Sequence, residues 1–109
     1  MSYCTTTDVL AIVDTDMTAP EVDVLIDIIS AIMNSMIDTG SIDAQLLRGI
    51  CQAWTAYRVM LKDPNARSLG EYSENRDKAL EMLWNQVEIM LPVAQEGGTG
   101  FVAARSELG

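Results

Sequence analysis

The chain contains no histidine, only two cysteines, and only seven basic residues against sixteen acidic ones, for a formal charge of -9 over 109 residues. Each scarcity removes a class of chemistry. Without histidine, Cys4 and Cys51 cannot complete a tetrahedral zinc site from the usual ligand sets, and neither thiol has the base that cysteine nucleophiles use. Two cysteines are too few for a disulfide framework, so both are expected as reduced thiols, with Cys51 on the apolar face of a helix where a thiol is inert. The acidic excess repels phosphate, which argues against groove binding to DNA and adhesion to anionic lipid. The greasiest run, VDVLIDIISAIM, is broken by Asp23 and Asp27 and is too short to span a bilayer. The opening MSYCTTTDVL has neither the basic start nor the apolar run of an export signal, and nothing hydrophobic precedes Cys4 as in a lipoprotein. The expectation is one soluble, acidic domain that buries about two thirds of its unfolded surface.

Candidate sites for chemistry fail on their spacing. A calcium loop starting at Asp14 would need glycine where Ala19 stands and glutamate where Leu25 stands. GGTG at 97–100 lacks the lysine and hydroxyl of a phosphate loop and follows no strand, so it reads as a hinge. Asp23 and Asp27 share a wet helix stripe, where a solvated surface is the default for carboxylates. No enzyme activity, cofactor or metal is expected. Met33, Met36 and Met60 read as core filler, and Trp54 with Trp84 as core first and partner anchor second.

What is present is helix signal. TTTDVLAIV predicts a short helix capped by Thr5 with Asp8 three residues on. Thr18 and Glu21 form a capping box around Pro20, opening a second helix that should run to about Thr39, with Gly40 as a left-handed cap. Asp23, Asp27, Ser30 and Asn34 make its narrow wet stripe, and apolar residues cover most of the remaining circumference. A third helix is expected from a Ser41 cap to just before Pro64, with Leu47, Ile50, Cys51, Trp54 and Leu61 inward and Arg48, Gln52 and Thr55 outward. Ser73 should cap a fourth, lined by Leu80, Leu83, Trp84, Val87 and Leu91 and closed by Pro92. The fold class is all-α: a small bundle of one short and three longer helices, with an extended or short-strand link between helices three and four. Residues 1–92 form the helical domain, and 93–109 are an extended C-terminal tail, free or ordered by a partner.

The order of these pieces resembles the head-to-tail connector family of tailed viruses of bacteria and archaea, also called head-completion or adaptor proteins. YCTTTDVLAIV, then PEVDVLIDIISAIM, then LLRGICQAWTAYRVMLKDPN and the link SLGEYS carry the resemblance, over about residues 3 to 91. It implies a structural virion protein at the head–tail junction, made in the host cytoplasm, in a closed ring of about twelve copies beneath the portal. Its partners would be its own copies, the portal protein and a tail or tail-completion protein, with packaged DNA passing through an acidic lumen and no membrane contact. The link would meet a neighbouring subunit through Leu69, Gly70 and Tyr72, and the tail would dock on the portal through Phe101, Val102 and Leu108. Two other classes compete. One is an acidic inhibitor or antitoxin-like binding module; the other, disfavoured by charge, is a helix-turn-helix regulator.

Overall fold

Thr5 and Thr18 each act as predicted. The hydroxyl of Thr5 accepts the Asp8 N–H while the Asp8 carboxylate accepts the Thr5 N–H at 2.9 Å. Thr18 and Glu21 repeat the exchange, with Pro20 in the first turn, where its missing N–H costs nothing. A computed structural model describes residues 2–38, 40, 42–69 and 75–95. It shows an all-α bundle: α1 (Thr6–Leu10), α2 (Ala19–Met36), α3 (Ala44–Lys62) and α4 (Arg76–Gln95). Two short strands, β1 (Val13–Asp14) and β2 (Arg67–Ser68), pair antiparallel with Val13 opposite Ser68, and the Leu69 N–H extends the ladder to the Ile12 carbonyl at 3.0 Å. The link between α3 and α4 therefore begins as a strand that pairs within its own chain.

Helix α3 is the centre, packed against α1, α2 and α4. Ile26, Ile29 and Met33 of α2, Ile50, Val59 and Met60 of α3, and Leu83 and Val87 of α4 are fully buried. Each contributes about 1.5–3 kcal/mol of transfer free energy. Close approach of α3 and α4 is set at Gly49, where a Cβ would meet the Met90 sulfur at 3.3 Å.

Several boundaries and faces differ from the sequence expectation. Helix α2 stops at Met36, because Ile37 turns extended to bury its side chain, and Gly40 is not left-handed. Ala11 to Val13 leave α1 for a turn and β1, where Val13 is wholly buried. The α3 cap is Asp43, whose carboxylate accepts the Gln45 N–H, and Asn75 serves α4 by accepting the Lys78 N–H; Ser41 and Ser73 lie outside the described residues. Pro92 sits inside α4, which continues to Gln95 and buries Ala94, so the helical domain passes residue 92. Thr55 is buried rather than outward, and Leu61 is exposed rather than inward. Ser30, placed on the wet stripe, is buried because the N-terminal arm lies over it: its hydroxyl accepts the Tyr3 N–H at 3.2 Å. The segment that covers it takes three of the four stripe residues, leaving Asp27 exposed. The Tyr3 hydroxyl donates to Asn34 and the Thr6 hydroxyl to Asp23.

Candidate functional site

Two surfaces stand out once the core is accounted for. The first lies between α3 and α4. Trp54 and Tyr57 fall three residues apart on α3, and Glu81, Trp84, Asn85 and Glu88 fall on one face of α4 by their spacing. Trp84 meets Trp54 edge-to-face with ring centroids 6.0 Å apart and lies tilted against Tyr57 at 5.1 Å, a geometry aromatic quadrupoles favour. All three rings are half-buried. Tyr57, Trp84, Leu80, Asn85 and the two carboxylates of Glu81 and Glu88 line a hollow of about 300 Å³. Aromatic walls beside carboxylates suit a lysine or arginine side chain, which gains from ring and charge together. The sequence pattern puts both tryptophans and Tyr57 on apolar helix faces and Glu81 and Glu88 on the polar side of the fourth helix, without joining them into one site. The helical spacing of the α4 residues was visible; their meeting with α3 was not.

The second surface is the outer side of α2. Val24 and Ile28 are 57% and 44% exposed, and with Ala31 and Ser35 they follow one line down the helix. Nothing among the described residues covers them. Of the six interface residues expected from sequence, only Leu69 is described; it is 50% exposed at the end of β2. Gly70, Tyr72, Phe101, Val102 and Leu108 lie outside the described residues.

The base of the link is firmly anchored. Asp63, at the end of α3, accepts the Thr15 hydroxyl at 2.5 Å, the Asp16 N–H at 3.0 Å and the Asn65 N–H at 2.9 Å. Those bonds, the Thr15 hydroxyl first, hold its carboxyl below the usual aspartate range. Arg76, the first residue of α4, reaches back to the α3 terminus and donates to the carbonyls of Ala66 at 2.7 Å, Asp63 at 3.3 Å and Met60. A guanidinium there satisfies orphan carbonyls and opposes the negative end of the helix. On the other side of the bundle, Arg48 pairs with Asp8 at 2.6 Å, and the Asp8 carboxyl is held low by the Thr5 N–H and then by Arg48.

Compared with protein-family models, curated proteins and solved structures, the chain matches none. Among the described residues no three acidic or cysteine side chains converge as metal ligands, and no helix is long and apolar enough to cross a membrane.

Proposed function

We propose that the chain is a non-catalytic assembly protein of a tailed virus, a subunit of a ring beneath the portal that joins head to tail and gives packaged DNA a passage. The observation that carries this reading is the uncovered stripe of Val24 and Ile28 on α2, apolar surface on a helix whose inward side is already fully packed. In a ring, one patch on each copy meets a different patch on the next, and the contacts close on themselves in about twelve steps. Leu69 would lie in the same kind of contact, with the portal and a tail-completion protein above and below. The resemblance in element order supports the same conclusion, and a formal charge of -9 suits a lumen through which DNA slides without sticking. The protein would act in the virion, after assembly in the host cytoplasm.

Gel filtration with light scattering over a wide concentration range tests it. A closed oligomer is expected, and Ile28→Glu should reduce it to monomer while leaving the helical circular dichroism intact. A strict monomer at every concentration would overturn self-assembly into a ring. The α3–α4 hollow favours a second reading, an acidic module that captures a basic segment of another protein; it would show one tight heteromeric partner and no ring.

A further inference from the structure

The two cysteines, 47 residues apart in sequence, meet in the core. The Cys4 thiol donates to the Cys51 sulfur with the two Sγ atoms 3.0 Å apart, about 1 Å beyond a disulfide bond length. We propose that Cys4 and Cys51 form a reactive dithiol that is oxidised by small-molecule disulfides to an intramolecular disulfide, locking the N-terminal arm onto α3. This does not rest on the assembly reading.

Three observations support it. The approach of the sulfurs is organised by the fold, because the arm is seated on both sides of Cys4: the Tyr3 N–H and hydroxyl bind Ser30 and Asn34, and Thr5 caps α1. The deeper sulfur is surrounded by groups that suit a thiolate. Ser30 Oγ lies 3.7 Å and Thr55 Oγ1 3.9 Å from Cys51 Sγ. The hydrogen bond from Cys4, then those hydroxyls, hold the Cys51 thiol below its ordinary value against the opposing effect of burial, while the same shared bond pushes Cys4 up. Finally, Cys4 is among the residues that line an open hollow with Thr5, Asp8 and Arg48, so of the two buried cysteines it lies nearer the surface.

The chemistry follows from that order. Cys4 passes its shared proton to the Cys51 sulfur and attacks one sulfur of the external disulfide, forming a mixed disulfide and expelling one thiolate, which takes that proton from Cys51. Cys51, as thiolate, then attacks Cys4 Sγ, breaks the mixed bond and expels the second thiolate. Two electrons pass from the protein thiols to the reagent, which leaves as two thiols. In a glutathione-reduced compartment the dithiol stays open; in oxidising surroundings it closes.

The full-length protein is incubated with oxidised glutathione at about pH 8, close to an ordinary thiol pKa, then unfolded, alkylated with iodoacetamide and weighed intact. The expected product carries no alkyl group and no glutathione, is lighter by two hydrogens, and recovers both alkylation sites after dithiothreitol. Cys51→Ala is expected to retain one glutathione, on Cys4. Two alkylated cysteines after exposure, a persistent glutathione adduct on the wild type, or a disulfide between chains would each overturn the proposal. Should the alanine variant fail to fold, peptide mapping of the oxidised wild type decides the same point.

Discussion

At the scale of single residues, Arg76 and Asp63 hold a junction that no helical periodicity announces. Arg76 bonds to main-chain carbonyls, which carry no side-chain signature, so the sequence shows a cation at the start of a helix and nothing of the helix end it serves. Charge-assisted bonds of this kind contribute about 1.5–3 kcal/mol. Arg76→Ala should therefore lower unfolding free energy by about 2–3 kcal/mol in urea titration, and Arg76→Lys should recover only part, since an ammonium lacks the guanidinium fork. Asp63 governs the acid side. Its carboxyl and that of Asp8 titrate below the 3.8 of a free aspartate, so the unfolded chain takes up these protons first. Their stabilisation is complete above that value and is lost as pH falls through the lower, folded one. Melting followed by circular dichroism should drop most steeply below about pH 4. Asp63→Asn should start lower at neutral pH and fall less.

At the scale of elements, caps and periodicity gave the four helices, and burial decided where they stop. Thr5, Thr18 and the break before Pro64 were readable because a cap acts within one turn. The end of α2 was not, because Ile37 leaves the helix to reach a core that only the tertiary fold creates. The stripe of Asp23, Ser30 and Asn34 shows the same limit. Its polar pattern matched a solvated face, whereas its hydroxyl and amide groups receive the arm. The aromatic hollow also belongs to a pair of elements, α3 and α4. A short arginine-rich peptide should quench tryptophan fluorescence on binding there. Glu81→Gln with Glu88→Gln should weaken that binding several-fold, an effect that shrinks as salt rises, as cation–carboxylate pairing near the surface requires.

At the scale of the whole molecule, a chain of charge -9 that carries an apolar outer stripe faces opposed forces when it meets its own copies. Like charges repel over roughly a Debye length, about 30 Å in dilute buffer and 3 Å at high salt, while apolar burial is not screened. The light-scattering mass is therefore expected to rise with salt; a fall would point to an interface held by ion pairs. The proposal that copies meet draws on resemblance in element order and on a second helix with more apolar circumference than a four-helix monomer covers; that Val24 and Ile28 are the residues left bare was not legible, because only the packed bundle decides it. The Arg76 junction has a further consequence, in time. Its bonds close loops of ten to sixteen residues, whereas those that seat Tyr3 and Cys4 reach across 27 and 47. Short loops close with less entropy loss, so the α3–α4 hairpin should form before the arm settles. The arm, made before the helices that seat it, is then the last to find its place, and Cys4 waits, unpartnered, until the helix that carries Cys51 has been made.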